Sequence, residues 1–189
     1  KGDYEKALDC YGRSLAIDEE LGNKRGMGYS LINIGDVHSI KGDYDTALDY
    51  QERSLSIREE LGDKSGMGSS LISIGIVHSI KGDYEKSLDC YGRSLKITEE
   101  LGDKRGMGNN LHNIGIVHRS KGDLNTALDY LRRSLAIDEE LGDKGGMGHS
   151  IDNIGIVHFK RGDYDKALDY QERSLAIREE IGDKAGMGY

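Results

Sequence analysis

Apolar residues recur at three- and four-residue spacings from Tyr44 through Ala47, Leu48, Leu55 and Leu61, with polar residues between them. That spacing lays them along one stripe of an amphipathic helix. The pattern predicts a helix over residues 44–60, here called helix B. Gly42-Asp43 precedes it as a turn and N-cap, with the Asp43 side chain placed to accept from the first free backbone N–H groups. Gly62 falls where a left-handed residue would end the helix. Asp63 is then placed to cap a second helix, helix A, over residues 64–79. Met67, Leu71, Ile74 and Val77 mark its inner side. Connections this short make neighbouring helices antiparallel.

The same hairpin recurs at a fixed interval. Copies begin at Lys1, Lys41, Lys81, Lys121 and Arg161, and the last is cut short at Tyr189. A fixed period of about 40 residues is the signature of a repeat array. Some columns do not change between copies. Leu8, Leu48, Leu88, Leu128 and Leu168 are expected in the core. Gly35, Gly75, Gly115 and Gly155 stand in the middle of helix A. A glycine there costs roughly 1 kcal/mol relative to alanine, so close approach of helix B to helix A is expected. Asp49 and Arg53, four apart and repeated in every copy, read as an exposed ion pair.

Leu71, Ile74-Gly75, His78, Gly82, Tyr84 and Ser87-Leu88 in one copy, and Leu31, Ile34-Gly35, His38, Gly42, Tyr44 and Ala47-Leu48 in another, resemble the tetratricopeptide repeat. The usual unit of that family has about 34 residues. This one is longer, mostly in helix B and the Glu-Glu-Leu-Gly-Asp-Lys turn. In that it is similar to the long repeats of kinesin light chains and of many bacterial regulatory proteins. The chain departs from the family in three places. Gly replaces Pro near the end of helix B. His38, His78, His118 and His158 stand where Tyr is usual. The late aromatic column of helix B reads Tyr11, Gln51, Tyr91, Leu131 and Gln171. The resemblance implies an all-α fold, a right-handed α-solenoid of antiparallel helix–turn–helix repeats forming one array over residues 1–189. It also implies a binding module without catalytic activity.

Composition agrees with an array. Hydrophobic residues make up 36% and charged ones 32%, Phe159 is the one Phe, and Trp is absent. No stretch approaches the ~20 apolar residues of a membrane span, and no signal peptide is visible. The net charge of −8 argues against nucleic acid, whose binders carry a basic stripe. Asp18-Glu19-Glu20 and its counterparts read either as a solvated ridge or as a docking face for basic segments. Cys10 and Cys90 hold equivalent places two copies apart, too far to bond within one chain, so a reducing, cytoplasmic setting is expected. The chain enters at a helix B and stops just after a further helix A would begin. It reads as a piece of a longer array with uncapped ends.

Candidate chemistry is sparse. The column His38, His78, His118 and His158 suggests a metal ladder, but ligands of one ion lie within ~4 Å of each other and residues one repeat apart do not. Packing or hydrogen bonding between helices is the expected role. Gly26-Met27-Gly28 and its copies lack the pattern of a phosphate loop and point to close packing or a loose helix start. No Ser–His–Asp or Cys–His set converges. No enzyme, metal or cofactor is expected.

In the resembling family the outward positions of helix A hold extended peptides on a concave surface. Carried over position by position, they are Tyr29, Ile32, Asn33, Asp36, Ser39 and Ile40; Ser69, Ile72, Ser73, Ile76, Ser79 and Ile80; Asn109, His112, Asn113, Ile116, Arg119 and Ser120; His149, Asp152, Asn153, Ile156, Phe159 and Lys160. The copies differ most here. Asn33, Asn113 and Asn153, interrupted by Ser73, form an amide ladder that either bonds a ligand backbone or meets water. Ile76, Ile116 and Ile156, with Asp36 in the first copy, form a row that is either an exposed apolar strip or core. His112 and Arg119 would add polar selectivity. The expected partner is a protein or peptide. Self-association through the uncapped ends, and a sensor role within a larger signalling protein, are the alternatives.

Overall fold

The computed structural model describes residues 2–182. Among them are nine helices and no strand: α1 (Gly2–Leu21), α2 (Lys24–Lys41), α3 (Tyr44–Glu60), α4 (Lys64–Lys81), α5 (Tyr84–Leu101), α6 (Lys104–Lys121), α7 (Leu124–Leu141), α8 (Lys144–Arg161) and α9 (Tyr164–Ile181). Odd-numbered helices are helix B and even-numbered ones helix A. The helix A expected just before Tyr189 lies outside the described residues. No described helix is long and apolar enough to cross a membrane.

Helix B of the second copy runs as its periodicity predicts. Helix A runs two residues further than expected, to Lys81, where Gly82 at φ +82° caps it. The N-caps divide into two kinds. Asp63 caps α4 by accepting from the N–H of Gly66 (3.1 Å). Asp43 makes no such bond with α3, and neither Asp123 nor Asp163 caps its helix. Their carboxylates are turned instead toward the imidazole five residues back: His38 Nδ1 stands 3.3 Å from Asp43 Oδ2, and His158 Nδ1 stands 3.1 Å from Asp163 Oδ2. The expected cap at Asp43 is thus lost to a competing side-chain partner.

The chain divides into two compact units at Ile97/Thr98, inside α5. In the first, α2 packs on α1, α3 and α4, and α3 packs on α4. The pairing is antiparallel. Ser54 of α3 reaches Gly28 early in α2, whereas Ala47 at the start of α3 lies beside Gly35 further along α2. Ser54 Oγ donates to the carbonyl of Gly28 (2.8 Å) and Ser94 Oγ to that of Gly68 (3.1 Å). These hydroxyls are fully buried, so the bonds remove what would otherwise be unsatisfied polar atoms. The second unit repeats the scheme: Ser134 bonds Gly108 (2.9 Å) and Ser174 bonds Gly148 (3.0 Å). The Gly-Met-Gly turns are therefore places of close packing.

Glycines in mid helix A have the expected role. A Cβ on Gly35 would stand 2.7 Å from Gln51 Cγ and 3.0 Å from the backbone oxygen of Ala47. A Cβ on Gly115 would stand 2.8 Å from Leu131. The core of the second unit is Ala127, Leu128, Leu131, Ile154 and Val157. In the first, Leu71, Ile74 and Cys90 are buried together, with Leu48, Leu55 and Ile97 against them.

The leucine column is not uniformly core. Leu128 is buried, Leu48 and Leu88 are half-buried, and Leu168 is 61% exposed. α8 covers the face of α7 that carries Leu128, and among the described residues no helix covers that face of α9. Leu61, at the end of the predicted stripe, is also exposed.

Each imidazole of the His column has a packing partner or a carboxylate. His38 stacks on Tyr50, His118 on Tyr130 and His158 on Tyr170, and Asp83 stands 3.4 Å from His78 Nδ1. Packing and hydrogen bonding both operate in this column.

Candidate functional site

In each of the two units, helix A presents its variable residues on one side. In the first unit, Asn33, Asp36 and Ser73 are half-buried and Ile76 is 40% exposed. Asn33 donates one amide hydrogen to the carbonyl of Tyr29 (2.8 Å), four residues back on its own helix. That bond orients the side chain and leaves its oxygen and second hydrogen. Asp36 accepts from Gln51 Nε2 (2.9 Å) and from Ser73. Burial pushes its carboxyl above the ordinary value, against the pull of Ser73, Gln51 and the Arg58 charge. Ile32, expected to face outward, is buried at 8% and leaves this surface.

In the second unit, His112, Asn113, Ile116, Arg119, Asn153 and Ile156 are all half-buried. Arg119 Nη1 donates to Asn153 Oδ1 (2.5 Å), and Asn153 Nδ2 donates to the carbonyl of His149 (2.9 Å). Asn113 makes no side-chain hydrogen bond among the described residues. The isoleucine row is neither core nor fully open. Ile76 is exposed, while Ile116 and Ile156 each show part of their surface.

His112 is held by a chain of hydroxyls and a carboxylate. Its Nδ1 is 3.4 Å from Ser150 Oγ, which itself donates to Asp138 Oδ2 (3.0 Å). Ser150 has one proton and spends it on Asp138, so His112 Nδ1 carries the hydrogen and Nε2 is the bare acceptor. Burial first, then the neighbouring His149 and Arg119, push its pKa down to about 4. The ring is neutral at pH 7. Unfolded, it would titrate near 6.5, so between about 6.5 and about 4 the unfolded chain binds a proton that the native chain does not. The stabilisation is complete above that window and is lost as pH falls through it. Melts of the wild type and His112→Asn at pH 7 and pH 4.5 should show a smaller acid loss in the variant. Equal losses would rule the assignment out.

One buried column was hidden in the expected acidic ridge. Glu19 and Glu20 are exposed, but the residue at the head of that triplet turns inward in later copies. Arg58, Thr98 and Asp138 are 4%, 6% and 8% exposed. Arg58 donates to the carbonyls of Gly66 (2.6 Å) and Gly28 (3.5 Å), and its guanidinium lies 5.2 Å from the ring centre of Tyr29. Burial lowers its pKa, with Asp63, Tyr29 and Asp36 opposing. The available signal was variation: Asp, Arg, Thr, Asp and Arg alternate at this place between unchanging neighbours.

Known proteins agree with this architecture. A tetratricopeptide repeat family profile matches residues 1–60 and 66–140, and a second one matches residues 148–181. No curated protein sequence matches the chain. Among solved structures, BtubC (BKLC) from P. vanneervenii is similar at 22% identity and TM-score 0.85, over 100% of this chain and 76% of that one. A Rap protein solved in complex with Competence and Sporulation Factor is similar at 19% identity and TM-score 0.85, over 96% of this chain. The chain spans 51% of that protein's length. A kinesin light chain-like protein of Podosopora anserina, with nearly identical TPR-like repeats, is similar at 14% identity and TM-score 0.76, over 97% of this chain and 90% of that one. At such identities the likeness concerns the fold. The profile matches cover most of the sequence and coincide with the helix hairpins, and the chain belongs to the tetratricopeptide repeat family.

Proposed function

We propose that the chain is a protein-interaction scaffold that takes extended peptide segments on its helix A faces. The observation that carries this reading is the combination on α6 and α8 of oriented polar groups with a part-exposed apolar row. Asn113 offers an amide with no partner among the described residues. Asn153 is already aligned by Arg119 and His149. The neutral His112 offers an acceptor. Ile116 and Ile156 supply apolar contact beside them. In the first unit, Asn33, Asp36, Ser73 and Ile76 have the corresponding places. Groups held by their own helix need little ordering when a ligand arrives, which lowers the entropic cost of binding. The Rap protein complex offers a parallel at the level of fold.

The partner is a polypeptide and not nucleic acid, since the net charge of −8 would repel phosphates. The role is binding without catalysis. The test is selection from a random peptide library by the purified chain, beside Asn113→Ala/Asn153→Ala. Enriched sequences that the double variant binds about ten-fold more weakly are expected. Equal binding by both proteins would remove the groove from consideration.

A second reading, association of copies, is favoured by one surface of the second unit. Phe159, Tyr164 and Leu168 are each more than 60% exposed around a cavity of about 390 Å³. A constant monomeric mass in light scattering across concentrations would dismiss it.

A further inference from the structure

Three of the repeats hold a tyrosine ring in the same way. Tyr50, Tyr130 and Tyr170 stack on His38, His118 and His158, with ring centres 5.8, 5.6 and 5.4 Å apart and planes within 7° of parallel. The arginine three residues on lies over each ring: Arg53, Arg133 and Arg173, at 5.3, 5.2 and 5.1 Å. Each tyrosine thus has an imidazole and a guanidinium as partners, both favourable to a π-face. Tyr170 also packs on the core that contains Ile154 and Val157.

The repeat of α4 and α5 keeps both partners but not the ring. His78 and Arg93 occupy the equivalent places, and Cys90 stands where the tyrosine would be. The aromatic residue has moved by one position, to Tyr91. One step turns it about 100° around the helix, and it now lies beneath Gly75, 2% exposed, where burial pushes its hydroxyl up to about 12. It cannot also fill the space beside His78. That space is an open cavity of about 450 Å³ whose lining includes Leu55, Leu71, Ile74, His78, Cys90 and Arg93. Arg93 keeps the pair with the aspartate four residues back, Asp89 (3.9 Å), that its counterparts also make, and without a ring to cover it leans toward Glu59 (3.4 Å). These are half-exposed pairs of small worth, so the guanidinium can swing back over a ring at little cost.

We propose that this cavity is a binding site for a tyrosine side chain presented by a partner polypeptide. The occupant is identified by what the chain itself places in the equivalent space of three other repeats. The apolar floor of Leu71 and Ile74 takes the ring, His78 and Arg93 supply the two π-contacts, and the ring hydroxyl faces the polar rim. Apolar cavities of roughly 150 Å³ already hold a benzene ring, so size is no obstacle. The site is separate from the helix A face and does not depend on peptide binding there.

The test is NMR titration of p-cresol, and separately of N-acetyl-tyrosinamide, into the purified chain, reading the His78 ring signals. Both probes should shift those signals upfield and saturate in the millimolar range, as an aromatic ring settles beside the imidazole. Cyclohexanol should not produce this shift. In Cys90→Tyr the chain's own ring fills the cavity. That variant should melt at or above the wild-type temperature and lose the response to both probes. Cys90→Leu, which fills the floor without a ring, should lose it as well and guards against misfolding of the first variant. A His78 signal indifferent to both probes, or a response undiminished in both variants, overturns the proposal. A response to p-cresol without one to N-acetyl-tyrosinamide overturns the polypeptide as its source. Neither outcome bears on Asn113 or Asn153.

Discussion

Gly35→Val should destabilise the first unit by about 3 kcal/mol, the range of overpacked cores, although valine is the better helix former. Gly35→Ala should cost about 1–2 kcal/mol for the same reason. The new methyl would meet Gln51 Cγ at 2.7 Å and, more seriously, the backbone oxygen of Ala47 at 3.0 Å. A side chain can rotate away, but a main-chain carbonyl inside α3 can move only if the helix moves. The result has a built-in control. Gly92, on the exposed side of α5, has nothing within 4 Å of an added Cβ. Gly92→Ala should therefore gain about 0.5–1 kcal/mol from helix propensity alone. One substitution type then has opposite signs at two helical sites. Urea melts of both variants decide it, and a Gly35→Ala protein as stable as the wild type would refute the close-approach argument.

Arg58→Ala should cost about 3 kcal/mol, as expected when a buried, hydrogen-bonded charge is removed. The residue is 4% exposed, and its guanidinium donates to the carbonyl of Gly66 at 2.6 Å and to that of Gly28 at 3.5 Å. Removing it takes a charged donor from the carbonyl of Gly66 and leaves Ser54 as the side-chain donor to that of Gly28, opens a cavity along the vanished stem and withdraws positive charge from Asp36 and Asp63. Arg58→Met keeps most of the stem and should lose about half as much. Arg53→Ala, which removes an exposed pair with Asp49 and a contact with the Tyr50 ring, should cost about 1 kcal/mol at most. The Asp36 carboxyl, already raised by burial, should rise further in Arg58→Ala, which its side-chain NMR titration would show. Three variants of equal stability would mean that the buried arginine contributes nothing.

Much of this is legible in the chain before it is folded. The repeat period, the two helices in each copy, the left-handed glycines at their ends and the tight packing at Gly35 all follow from local rules. They depend on side-chain spacing, backbone freedom and the absence of a Cβ. The site was legible only as a list of positions on one helix face. Asn33, Asn113 and Asn153 read alike in sequence, yet one is aligned by its own helix alone, one by Arg119 as well, and one has no described partner. The isoleucine row could be read either way, since its exposure depends on how far the neighbouring helix covers it.

The repeat, the helix pairs and the family can be read from the chain alone, because short-range periodicity that recurs in every copy sets them. What the differences between copies mean emerges only when the helices pack. Arg58 reads as one charge among many until burial sets it against the carbonyls of Gly66 and Gly28. Asp43 reads as a cap until His38 is brought beside it. Cys90 reads as a minor change from tyrosine until the unfilled space between His78 and Arg93 becomes visible. The reason is common to all three. Each effect belongs to a meeting of residues on different helices, and such meetings are fixed by packing, which sequence spacing within one helix does not encode.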